Sequence, residues 1–182
     1  MNPVSKVILF TILGAFLVLS GGFGCSAGPV KSSGMTIEAV QGAKQYPYSV
    51  KITVNGGSKK NELGLPYITN EAFAKALVDS IMNSKLFSEV TKKGNADYLL
   101  SIDIFGMEQQ PMGFNLTSRI EVGWNLIKTD TGNRVMRKTI NSSHTTEYGE
   151  SFGGAKRLRL ATEGAVRENL KMGIKAIAAL DL

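Results

Sequence analysis

The chain has 182 residues, 43% hydrophobic and 20% charged, with a net charge of +6. That length suits one ordinary globular domain and is too short for a two-domain dehydrogenase or a full β/α barrel. One Cys and one His exclude a disulfide framework and argue against a cysteine–histidine zinc site.

The first 24 residues read as a signal peptide. Met1–Lys6 carries one basic side chain, Val7–Leu19 is uncharged and apolar, and Gly21–Gly24 is small apart from Phe23. Thirteen apolar residues fall short of the ~20 needed to span a bilayer. Extended to Phe23, the same run is the alternative, an uncleaved inner-membrane anchor. Cys25, the only cysteine, follows directly. The arrangement resembles a bacterial lipoprotein signal, with Gly24 matching and Gly22 and Phe23 departing from the usual residues. That resemblance implies acylation of Cys25, with Ser26 in place of Asp implying the outer membrane. Removal of residues 1–24 takes Lys6 with it and leaves 20 basic against 15 acidic side chains. The basic residues are not interleaved with stacking aromatics, so the charge does not indicate nucleic acid.

Residues 25–45 hold Gly, Ser and Pro without sustained period and read as a lipid-anchored tether, with room for a short strand near Met35–Val40. Residues 46–182 form the domain. Tyr48–Val54 alternates as a half-buried strand. Asn70–Asn83 predicts a helix capped by Asn70, with rows Phe73, Leu77, Ile81 and Ala74, Val78, Met82 forming its apolar stripe. Leu86–Thr91 is a short strand. Tyr98–Gly106 alternates with its even positions inward, and Leu116–Lys128 places Ile120, Val122, Trp124 and Leu126 on one face. Thr129–Asn133 is a turn in which Gly132 supplies positive φ. Arg134–Tyr148 is a polar strand suited to a sheet edge, with Met136, Ile140 and Tyr148 as its core face. Ala155–Ala179 is a long helix burying Leu158, Thr162, Val166, Leu170, Ile174 and Ile177, in which Gly164 and Gly173 imply close packing on the sheet. The order β-α-β-β-β-β-α, with a run of antiparallel strands, gives an α+β fold: a mixed, largely antiparallel sheet with both helices on one face.

The chemistry of catalysis is sparse. His144 stands alone among Ser142, Ser143, Thr145 and Thr146. No serine has a nucleophile-elbow pattern, Asp97, Asp103 and Asp130 lack metal-loop spacing, and the glycine pairs match no nucleotide motif. The expectation is a non-enzyme without cofactor or metal. The alternatives are an acyltransferase or hydrolase using His144 as general base, or a module binding an anionic lipid or glycan. Two surfaces are candidates for partner binding. One is the connection 107–114, where Met112 and Phe114 are apolar among turn residues. The other is Arg167, Lys171 and Lys175, spaced by four on the terminal helix and facing an acidic partner or anionic headgroups.

The segment Asn95-Ala96-Asp97-Tyr98-Leu99-Leu100 opens a long strand after a helix and a short strand. A second long strand, the Thr131-Gly132 turn, a polar strand and a terminal helix follow. Over roughly 46–180 this layout resembles small Gram-negative envelope lipoproteins with a TolB amino-terminal-like α/β domain. The resemblance implies a periplasm-facing accessory domain, no catalytic residues, and a protein partner in envelope transport, secretion or cell-wall assembly.

Overall fold

Alternation with period two and stripes near period 3.6 each find a place in one core, as far as the chain is described. A computed structural model describes residues 28–92 and 94–182. The expected signal peptide and Cys25 lie outside these residues. In chain order the elements are α1 (Ser32–Met35), β1 (Tyr46–Asn55), α2 (Asn70–Asn83), β2 (Phe87–Thr91), β3 (Tyr98–Gln110), β4 (Leu116–Lys128), β5 (Arg134–Thr146) and α3 (Gly154–Ala178). The sheet order is β2-β1-β3-β4-β5. β1 runs parallel to β2 and β3, whereas β3-β4 and β4-β5 are antiparallel. The α+β class and the expected order of strands and long helices are thus those of the structure, and the polar β5 lies at an edge.

One face of the sheet buries Val50, Leu100, Ile102, Val122, Trp124, Leu126 and Ile140. Phe73, Leu77 and Ile81 of α2 and Val166, Leu170, Ile174 and Ile177 of α3 close the same core. The Asn95–Leu100 segment has a local physical reason. Asp97 accepts hydrogen bonds from Ser49 N (2.7 Å) and Ser49 Oγ (2.6 Å), tying the start of β3 to β1. These bonds hold its carboxyl below the ordinary range.

α3 is seated by small and polar residues together. A Cβ at Gly173 would overlap the Trp124 ring, and one at Gly164 would overlap His144. Close packing is therefore the reason for both helical glycines. Trp124 Nε1 donates to Asn169 Oδ1 (3.0 Å), and Asn169 Nδ2 donates to the Ile140 carbonyl (2.9 Å). The whole row Ala161, Ala165, Asn169, Gly173, Ile177 is buried, a second seam beside the aliphatic one expected.

Several expectations need correction. α2 is capped by Thr69, whose side chain accepts from Ala72 N (3.1 Å). Asn70 instead accepts from Gly57 N (2.7 Å). The buried face of α2 is turned toward Ala76 and Ser80, leaving Met82 62% exposed. The cause is the segment expected to be tether. Val30 and Met35 are buried in the core, and Pro29 bridges Tyr67. The segment then descends between the helices. Ile37 N donates to Ser80 Oγ and Val40 N to Ser84 Oγ, each at 3.1 Å. Residues from Pro29 onward therefore belong to the domain, and the Met35–Val40 stretch opens with the end of α1 rather than as a strand.

β3 differs too. The pairing shifts between Ile104 and Gly106, so Phe105 is the extra residue of a bulge. The inward parity passes from even to odd positions, and Met107 packs against the core. The strand consequently runs to Gln110, and the tip shrinks to residues 111–115. Gly132 has φ +68° as its turn requires. Tyr148 is not in the core: β5 ends at the buried Thr146, and Tyr148 lies in a 3-10 turn, 59% exposed.

Candidate functional site: the apolar end of the sheet

β1 and β3 finish at the same end of the sheet where β4 begins, β5 finishes and α3 begins. Three connections meet there: the loop 56–69, the tip 111–115 and the segment 147–153. Gln109 joins elements behind them, donating to the Pro66 carbonyl (3.0 Å) and to Thr162 Oγ1 on α3 (2.9 Å). Thr162 also bonds Ser118 Oγ (3.0 Å) on β4. The inward turn of Gln109 follows from the bulge at Phe105.

On this end stand Leu63 (82% exposed), Met112 and Phe114 (80% each), Tyr148 (59%) and Phe152 (104%). Five of the eight exposed large apolar side chains of the described residues are thus gathered at one end. Their base is ordered. The Phe114 and Tyr148 rings meet edge-on with centroids 5.9 Å apart. The Arg157 guanidinium lies 5.0 Å from the Tyr148 centroid and donates to the Phe114 carbonyl. Glu147 and Glu150 cap one another through backbone N–H groups, which accounts for that acidic pair locally. A cleft of about 390 Å³ opens under the loop, lined by Leu63, Leu65, Phe105 and Met107 among others. Large apolar groups held out in solvent on a fixed base make this end the candidate site, since burial is otherwise their stable state.

The second expected surface is divided by the structure. Arg167, Lys171 and Lys175 line a cleft of about 580 Å³ together with residues 36–41. Arg167 is not free to meet a partner: its guanidinium donates to the Gly34 carbonyl and fastens the N-terminal segment to α3. Lys171 and Lys175 are exposed. They lie about 20 Å or more along α3 from Arg157, at 1.5 Å per residue. Beside Arg167, Glu163 is buried against Gly34 and 3.9 Å from Arg159. Burial pushes its carboxyl up, while Arg159, Arg167 and Lys31 pull the other way. Sequence reasoning missed Arg157 and Tyr148 as neighbours of Phe114, and Phe152 as part of the same end. They are 34 to 43 residues away, and only the antiparallel return of β4 and β5 joins them.

His144 faces α3 and packs on Gly164, so its placement has a packing reason. Among the described residues no three His, Cys, Asp or Glu side chains are grouped to hold a metal, and no helix is long and apolar enough to cross a membrane.

The mixed five-stranded sheet with two long helices on one face defines the class of fold. No protein-family model matches the chain, and no curated protein is detectably similar to it. Solved structures do share the fold. A Xanthomonas campestris protein of the DUF330 family is 12% identical with a TM-score of 0.63, covering 81% of this chain and 91% of that one. An uncharacterized lipoprotein B from Nitrosomonas europaea is 10% identical with a TM-score of 0.51, covering 80% and 92%. The hypothetical protein CT253 from Chlamydia trachomatis is 12% identical with a TM-score of 0.50, covering 75% and 99%. At these identities the likeness is one of fold.

Proposed function

We propose that the chain is a membrane-tethered, periplasm-facing accessory lipoprotein that works by contact with a protein partner in an envelope transport, secretion or wall-assembly machine. The observation that carries the reading is where the N-terminal segment joins the domain, through Pro29 and Val30 on Tyr67, which turns one end of the sheet toward the tether and leaves the remaining surface to face a partner. The lipoprotein signal ending at Cys25 supplies the tether, and acylation there puts the domain on the outer membrane. The Nitrosomonas protein of the same fold is itself called a lipoprotein, which agrees with that reading. The likeness to TolB amino-terminal-like domains is part of the same proposal and rests on topology. Lys171 and Lys175, remote from the tether, offer cations to an acidic partner. The enzyme alternative needs His144 as a general base. No structural observation favours it, because that ring is packed on Gly164.

The test is fractionation of cells making the full chain, with mass spectrometry of the mature N-terminus. Wild type is expected in membranes with acyl chains on Cys25, and Cys25→Ala in the soluble fraction. A single chain anchors only marginally, so at least two acyl groups are expected. Retention of Cys25→Ala with residues 1–24 attached would replace the lipid tether by the uncleaved Val7–Phe23 anchor. A protein that solubilised wild type retains in fixed stoichiometry through purification would support the accessory role. Turnover of an envelope substrate, lost in His144→Gln, would overturn it.

A further inference from the structure

We propose that the apolar end is seated on the lipid surface to which the chain is tethered, with Leu63, Met112, Phe114 and Phe152 entering the boundary between headgroups and acyl chains. The inference rests on the tethered reading above and names what the apolar end meets.

The first argument is where the chain enters. Pro29 bridges Tyr67, and Val30 N donates to the Tyr67 carbonyl (2.9 Å). Tyr67 adjoins Pro66, the residue Gln109 holds at this end of the sheet. The N-terminal segment therefore joins the domain beside the loop that carries Leu63, not at the opposite end. Cys25 precedes Gly28 by three residues, and three residues reach at most about 11 Å. Acyl chains on Cys25 would bring the bilayer surface to within roughly that distance of Gly28, next to the residue that bridges Tyr67. No long linker intervenes, because the segment expected to act as one is docked from Pro29 onward. The apolar run Val7–Leu19, were it retained, would enter from the same side.

The second argument is the chemistry of the end. A surface of Leu, Met and Phe with Tyr at its border suits the interface, where apolar bodies are buried and polar tips stay wet. The exposed Lys59, Lys60 and Lys156 belong to the same connections and to the first turn of α3, where their stems can lie along the surface with the amines in water. Glu62 pairs with Lys60 at 3.3 Å, so charge at this end is mixed and the contact depends on apolar area. Arg157, stacked on Tyr148 and bonded to the Phe114 carbonyl, holds the tip outward before any contact is made. A protein covering this end would have to fit between it and the nearby membrane. Lipid is therefore the occupant the geometry favours.

The experiment uses the full chain, purified from membranes, in vesicles of phosphatidylethanolamine and phosphatidylglycerol, with or without bromine on the acyl chains. Trp124 is buried and common to all variants. Phe114→Trp and Phe152→Trp place a reporter on the apolar end, and Lys171→Trp places one far along α3. Brominated lipid is expected to remove most of the added emission at 114 and 152 and none at 171. Co-flotation without quenching at 114 or 152 would leave the tether standing and overturn the seating. Failure to co-float would overturn the tethered reading and the seating with it. Quenching at 171 equal to that at 152 would overturn the proposed orientation. Cross-linking in native membranes from 114 or 152 to a protein in high yield would assign the end to a protein and overturn it likewise.

Discussion

Two irregular stretches of this chain invert what their composition suggests. Residues 28–45 hold three Gly, one Pro and no sustained apolar period, yet part of this stretch is packed between the helices, with Val30 and Met35 buried. The connections 111–115 and 147–153 carry Met, Phe and Tyr, yet stand in solvent. The difference lies in backbone polar groups. The first stretch can dock because Ser80, Ser84 and Tyr67 supply partners for its N–H groups, and an unpaired buried amide is costly. The second stretch has its carbonyl and ring partners on its own base, so its side chains point outward. Polarity of side chains alone therefore does not decide which loop is inside.

The largest effect that tests this contrast is Met35→Ala. A fully buried Met truncated in a packed site costs about 2–5 kcal/mol. Urea or thermal unfolding of the full chain should show that loss. A value within about 0.5 kcal/mol of wild type, the usual range for surface changes, would return the segment to a tether.

A middle-sized and pH-dependent effect is expected at Glu163. Its folded-state carboxyl titrates above the ordinary value because it is buried. Below the ordinary value both states hold the proton, and folding carries no penalty. As pH rises through the ordinary value toward the raised one, the unfolded chain releases its proton first and the fold loses stability. Above the raised value the loss is constant, softened by Arg159, Arg167 and Lys31. Glu163→Gln should therefore match wild type in acid and exceed it in unfolding midpoint near neutrality. An unfolding series between pH ~4 and ~7.5 reads the divergence. A Gln variant that is less stable at neutrality would show that the three cations outweigh the burial.

The smallest effect is expected at the exposed end. Met112→Ser with Phe114→Ser should change the melting temperature little, since such surface changes stay within about 0.5 kcal/mol each. A loss of several kcal/mol would place these side chains in the core and erase the contrast.

Much of the core is legible without a structure. The alternation in Leu116–Lys128 and the row from Leu158 to Ile177 follow from the geometry of strand and helix, which a local pattern encodes. Gly164 and Gly173 announce close packing because a helix tolerates them only for a reason. Less legible is the bulge at Phe105, because one extra residue breaks parity without a change in composition. The bulge nevertheless decides that Gln109 turns inward and joins the loop to α3.

The sequence by itself therefore determined the five strands and two long helices, their order and the edge position of β5, all of which rest on short-range patterns. Tertiary structure alone decided that residues from Pro29 are docked, that Arg167 is committed to Gly34, and that Leu63, Phe114 and Phe152 share one end. The physical reason is range. Periodicity acts over a few residues, whereas these contacts join groups about 40 to 130 positions apart and arise only once the strands have paired.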